Sequence, residues 1–291
     1  MIRRLKSLAA TQLRALGRRA AQGYVAGPAL ADALRVCARL SEQGFASTTC
    51  FWNTDQDAPI VVAQAYRDAL DQLARSGLDG YLSIKAPGLG FQRELLDGVL
   101  AASAAAGVRL HFDSLDPSTV DRTFALIAEI QPHPTVLGCT LPGRWRRSVA
   151  DAEVVVARGL AVRIVKGQWA DPLAPGLDPR GGFLAVVDAL AGRASRVAVA
   201  SHDPPLAREA LRRLQAAGTP CELELLYGLP MKAALQVARE RGVRARIYVP
   251  YGHAWLPYAL GQARRNPRIL WWLLRDAVTV SANRSDGRPT L

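Results

Sequence analysis

Arg163 and Lys166 stand in an apolar run, VRIVKG, in which Val162, Ile164 and Val165 have the character of a buried strand and Gly167 ends it. A cation at such a place needs an anionic partner, because an unpaired buried charge is strongly destabilising. Similar polar punctuation closes other apolar runs: Lys85 in LSIKAPG, His111 and Asp113 in RLHFDS, Ser201, His202 and Asp203 in VASHDP, Glu224 and Tyr227 in ELELLYG, and Tyr248 and Tyr251 in RIYVPYG. Each has an ordinary reading. A strand-end cation serves as a salt-bridge partner, a histidine before an aspartate as a turn residue, a tyrosine as packing. A shared chemistry requires that they lie on one side of the fold.

The elements that carry them suggest such a side. Strand-like runs cover 46–52, 80–85, 108–113, 135–141, 161–166, 197–201, 222–226 and 245–250. Between them, 61–76, 92–106, 117–130, 149–158, 182–192, 204–216 and 231–241 have apolar residues at helical spacing, as at Leu206, Ala210, Leu211 and Leu214. A further helix is expected over 254–276, and one over 29–43 either caps the bottom or packs beside the first strand. Strands and helices that alternate in this number predict an α/β fold, a (β/α)8 TIM-like barrel with extra N-terminal helices; a doubly wound open sheet is the alternative. Barrel chemistry sits at the C-terminal strand ends. Lys85, Arg163 and Lys166 on one rim would form an anion site, for which a phosphate-bearing cofactor is the natural occupant.

The chain has 291 residues, of which 49% are hydrophobic, enough to bury a large core. No apolar run approaches the roughly 20 residues of a membrane span. Cys37, Cys50, Cys139 and Cys221 are dispersed, without metal spacing, which suits a reducing cytoplasm. The net charge is +12, and half of that excess falls in residues 1–30, through Arg3, Arg4, Lys6, Arg14, Arg18 and Arg19 with no acid. A solvated basic helix, a helix on anionic lipid and an organellar targeting peptide all have this composition. Nucleic acid is not an expected partner, since the charge comes without a binding motif. The expected division is a basic helical segment at 1–28, a barrel at 29–278 and a flexible polar tail at 279–291.

The motifs resemble those of the proline dehydrogenase family, flavoenzymes built on a distorted (β/α)8 barrel. The resemblance runs from about Tyr24 to Arg275 and is carried by YVAGPALADALRVCARLSEQGFASTT, LSIK, VRIVKGQWADP, ASHDP, LLYG and RIYVPYGHAWLPY, in the family's order. It implies bound FAD and oxidation of L-proline or a proline-like cyclic amine by hydride transfer to flavin N5. A quinone would be the electron acceptor, with peripheral contact at the inner face of an anionic membrane. Arg163 would then lie near the reactive side of the isoalloxazine, as a catalytic cation. Lys166 and Gly167 would touch the ribityl–phosphate region, Trp169 would stack on the flavin, and Ser201 and His202 would hold the nucleotide. Lys85 would bind substrate, with Tyr248 and Tyr258 around its ring. No Rossmann glycine fingerprint is present, consistent with a rim-bound flavin.

The chain departs from the family at the reacting end. Gly261 and Gln262 take the place of an arginine pair that forks the proline carboxylate, and Arg265 replaces an acid one turn later. Arg264 and Arg265 could form a displaced clamp. On strand 3, His111 falls where an aspartate usually flanks the flavin, with Asp113 two residues on, and Gly138 falls where strand 4 usually carries glutamine. His111 and Asp113 are candidate catalytic groups; Lys85, Gln262, Arg264 and Arg265 are candidate substrate contacts. The alternative function is a catalytically silent relative acting as a binding or regulatory module.

Overall fold

A computed structural model describes residues 25–114, 116–130 and 136–252. Eight parallel strands close into a barrel in chain order. They are β1 (Ala46–Trp52), β2 (Gly80–Ile84), β3 (Leu110–Phe112), β4 (Leu137–Pro142), β5 (Ala161–Val165), β6 (Val197–Ala200), β7 (Cys221–Leu226) and β8 (Ala245–Gly252). Closure is parallel, with Thr48 beside Tyr248 and Cys50 beside Pro250. The helices α1 (Leu30–Glu42), α2 (Pro59–Ser76), α3 (Arg93–Ala106), α4 (Val120–Glu129), α5 (Ser148–Ala157), α6 (Pro179–Leu190), α7 (Pro204–Ala216) and α8 (Lys232–Arg241) surround it. Helix α1 packs beside β8 and β1 and does not cap the bottom. The short segment before it is tied to the rim, through Ala26 N–H to Pro250 O and Gly252 N–H to Gly27 O, both 3.0 Å. The helix expected over 254–276, the tail and residues 1–24 lie outside the described residues.

Strand periodicity sets the two faces. Leu82, Ile84, Leu110, Phe112, Val162, Ile164, Val197, Val199, Leu223, Leu225, Ile247 and Val249 join the helices in one apolar core. The alternate positions point inward and are polar: Thr48, Tyr81, Ser83, His111, Thr140, Arg163, Glu222, Glu224 and Arg246 are all buried. A barrel interior is more often filled by branched apolar side chains. Here it is an ion-paired core, and its top layer is the floor of the candidate site. Asp178 and Asp203 cap α6 and α7, accepting backbone N–H groups, each ahead of a proline that suits the first helical turn.

Candidate active site

Arg163 occupies the middle of β5 and is 3% exposed. Its Nε donates to Glu224 Oε2 at 2.8 Å and its Nη2 to Glu224 Oε1 at 2.9 Å and to Tyr81 Oη at 3.1 Å. Its Nη1 donates to Asp113 Oδ1 at 2.6 Å and to Ser83 Oγ at 3.2 Å. A guanidinium has five N–H groups, so all of them have acceptors here. Burial opposes the charge, but Glu224, Tyr81 and Asp113 outweigh it and hold Arg163 well above its ordinary pKa. Burial, countered in part by Arg163, pushes the Tyr81 phenol up to about 12. Thr48 Oγ1 completes the floor with a 2.9 Å hydrogen bond to Glu224 Oε1.

Above this floor, Asp113 is the rim residue of β3. It accepts from Arg163, from Ser83 Oγ at 2.8 Å and from Tyr248 Oη at 2.7 Å. Tyr248 in turn accepts from Trp52 Nε1 at 3.4 Å, and Arg163 Cζ lies 5.0 Å from its ring centre. Lys85 follows β2. Its Nζ donates to Phe51 O at 2.9 Å, touches Cys50 Sγ at 3.4 Å and sits 5.8 Å from the Trp52 ring centre. Among the described residues Lys85 has no carboxylate partner, since Asp113 is taken by Arg163. The buried Cys50 thiol, desolvated beside Lys85, is pushed up to about 11 and stays protonated at neutral pH.

His111 sits one pleat lower than Asp113. It is buried, with Nε2 2.9 Å from Thr140 Oγ1. Burial, and then Arg163, Arg109 and Arg246, hold it far below the usual histidine range, so the ring is neutral. Asp113, not His111, therefore presents the side chain at the rim of β3. Strand β4 repeats the lesson: Gly138 lies beside His111 in register, and the residue that ends this strand is Pro142, which has no donor. Gly138 is there because a Cβ would lie 2.5 Å from His111 Nδ1 and 3.0 Å from Ala161 O. Gly138→Ala is expected to cost about 1–3 kcal/mol by overpacking. His111→Ala added to it should recover part of that loss; denaturant midpoints of the single and double variants measure both.

The other side of the rim is built by β5, β6 and their loops. Lys166 Nζ donates to Asp203 Oδ2 at 3.0 Å, and Arg180 pairs with the same oxygen. Trp169 is 39% exposed, and its carbonyl accepts from Trp145 Nε1 at 2.9 Å. Ser201 is buried and accepts from Asp203 N–H at 3.2 Å. His202 accepts from Leu226 N–H at Nε2 (2.9 Å), so its Nδ1 carries the proton and donates to Pro230 O at 3.1 Å. Both ring nitrogens thus brace β6 against β7 and the loop that follows it. Gly167 has φ +92, and a Cβ there would lie 2.9 Å from Pro142 Cβ. Its glycine is required by the backbone turn and by the neighbouring loop.

The structure thus gathers Lys85, Asp113, Arg163, Lys166, Trp169, Ser201, His202 and Tyr248 at the C-terminal end of the barrel, and sets His111 below them. Tyr258, Gln262, Arg264 and Arg265 lie outside the described residues. Sequence reasoning left out Tyr81, Ser83, Cys50 and Trp52 as site residues, and Arg180 as the second cation on Asp203. Parity along β1 and β2 was the available signal, since these residues alternate with core positions.

No family model matches the chain. It is 24% identical over 271 residues to proline dehydrogenase 1 of Bacillus subtilis, covering 88% of this chain and 89% of that protein. It is also 24% identical over 273 residues to the proline dehydrogenase of Deinococcus radiodurans, covering 85% and 86%. Over most of its length this chain is similar to proline dehydrogenases. Among solved structures, proline utilization A of Bdellovibrio bacteriovorus, inactivated by N-propargylglycine, matches with a TM-score of 0.74 at 16% identity over 84% of this chain. Proline utilization A of Corynebacterium freiburgense matches with a TM-score of 0.70 at 15% identity over 96% of it. The chain spans about a third of the length of those two solved proteins, 32% and 34%, and these likenesses speak to the fold.

Proposed function

We propose that this protein oxidises the C–N bond of L-proline, or of a proline-like cyclic amine, with FAD as cofactor. The observation that carries the proposal is the rim. Lys85, a cation without an acidic partner among the described residues, stands on one side, and Lys166 and Arg180 share the single carboxylate of Asp203 on the other. This donor set fits FAD: two cations on one carboxylate leave positive charge for a pyrophosphate, and Trp169 offers an exposed aromatic face. FAD, when bound there, supplies the acceptor for the hydride that leaves the substrate carbon next to nitrogen.

The chain's own residues bind and polarise the substrate. Two of the three Lys85 N–H groups are directed at Phe51 O and Cys50 Sγ, and the third serves a substrate carboxylate. Hydride loss leaves a cationic carbon–nitrogen double bond. The Asp113 carboxylate, fixed by Arg163, Ser83 and Tyr248, is a pre-set negative charge for that cation. Arg163 has no N–H left for a ligand, so it acts by fixing Asp113 and through its field. His111, neutral and bonded to Thr140, supports this layer from below. Arg264 and Arg265 are proposed as further carboxylate contacts, in place of the pair missing at Gly261 and Gln262, and Tyr258 as a ring contact. A quinone is the proposed electron acceptor. Among the described residues no helix is long and apolar enough to cross a membrane.

Lys166→Ala is expected to weaken FAD binding by about 10- to 100-fold, the loss of one charge-assisted contact. Lys166 is 41% exposed, so the stability of the FAD-free protein should hardly change. Fluorescence titration of the FAD-free protein with FAD checks this, and unchanged affinity would remove Lys166 from the cofactor site.

A further inference from the structure

The opposite end of the barrel holds a small cavity with charged groups in its lining. It is lined by Tyr81, Arg109, His111, Gly138, Arg196 and Glu222, among others, at the N-terminal ends of β3 to β7. Its chemistry is unbalanced. Glu222 is 3% exposed; its Oε1 accepts from Arg246 Nε at 2.8 Å, while its Oε2 is buried without any hydrogen-bond partner. Arg246 is fully buried, and its Nη2 likewise lacks a hydrogen bond, lying 3.6 Å from Asp79 Oδ1. Arg109 lies against the Tyr81 ring, 4.8 Å from its centre, and has no carboxylate partner among the described residues. Arg196, at the mouth, is exposed and also has none among them. Arg244 pairs with Asp79. Four guanidiniums and two carboxylates therefore lie at this end of the barrel, and of these Arg109, Arg196 and Glu222 line the cavity.

We propose that this mouth binds a small oxyanion that carries its own hydroxyl donor, the chemistry of hydrogen phosphate. Two observations select that class. The unpartnered cations Arg109 and Arg196 call for anionic oxygens. The orphaned Glu222 Oε2 accepts only from a donor, which a fully ionised anion such as sulfate lacks. The cavity has room for about one oxygen-sized group, so it admits a single hydroxyl and not the whole anion. One hydroxyl enters toward Glu222, and the charged oxygens stay at the mouth with Arg109 and Arg196. Burial, and then Arg246, depress the Arg109 pKa, and a bound anion would relieve that strain. The site lies across the barrel from the rim, so it stands or falls independently of the catalytic proposal.

The test is thermal unfolding of the whole chain in inorganic phosphate and in sulfate at matched ionic strength and pH. Phosphate is expected to raise the midpoint saturably, with sulfate at least about tenfold weaker for want of the hydrogen bond to Glu222. Arg196→Gln and Arg109→Gln should each weaken the phosphate response by about tenfold or more. Lys166→Ala, at the other end, should leave it intact. Equal responses to phosphate and sulfate, no response to either, or a wild-type response in both arginine variants would overturn the proposal.

Discussion

Arg163→Met is expected to lower folding stability by about 3–5 kcal/mol, because it strands the carboxylates of Glu224 and Asp113 in the barrel interior. For a chain of this size that is a fall in Tm of roughly 5–8 °C. The side chain is 4% exposed and its partners 2% and 12%, so little solvent screening softens the loss. Glu224→Gln added to Arg163→Met should recover part of the deficit, since it removes one of the stranded charges. That coupling is the signature of a buried ion network, and a double-mutant cycle by denaturant unfolding measures it. A single variant within 1 kcal/mol of wild type would mean that Arg163 is not locked as described. Where the variant folds, proline oxidation should also fall, because Asp113 and Tyr248 lose the group that orients them.

The second large effect is at Lys85. Lys85→Met should raise KM for L-proline by about 10- to 150-fold, equivalent to a charge-assisted hydrogen bond of about 1.5–3 kcal/mol. Turnover at saturation should change much less, because the contact binds ground state and transition state alike. Prolinamide, which lacks the carboxylate, should show little change in KM. Steady-state kinetics with both substrates separate these outcomes. An unchanged KM for L-proline would place the carboxylate elsewhere, on Arg264 and Arg265 first of all.

The barrel was legible because its two faces differ so sharply in sequence. The outward residues of β5, Val162 and Ile164, and of β8, Ile247 and Val249, form apolar alternations that mark strands within a residue or two of their observed ends. The bounds of helix α7, Pro204 to Ala216, were legible, while the Asp203 cap emerged only in the structure. The expected helix over 117–130 instead opens as a 3-10 turn, Pro117–Thr119, because Asp116 accepts from Ser118 N–H and tightens the entry. Height within the barrel was harder to see. His111 and Asp113 are both inward and polar, and only the register of β3 against β2 and β4 shows which one reaches the rim.

The partners of Arg163 were hidden for a related reason. Tyr81, Ser83 and Glu224 come from strands far apart in the chain, and their convergence depends on closure of the barrel. A strand reading ELELL does announce inward charge by its alternation, and Arg163 and Arg246 were the available counter-ions. His202 shows the opposite limit. The family resemblance implies a nucleotide contact there, while the fold directs both of its nitrogens to the backbone of Leu226 and Pro230.

The central claim is that this rim brings FAD and a cyclic secondary amine together. The most direct measurement is the absorbance spectrum of the FAD-loaded protein without oxygen, before and after L-proline is added. Loss of the oxidised-flavin bands on addition of L-proline, or of a proline derivative in parallel, is the predicted result. A protein that retains no FAD on loading, or whose flavin bands persist with L-proline and every cyclic amine tried, would contradict the account and favour a catalytically silent binding module.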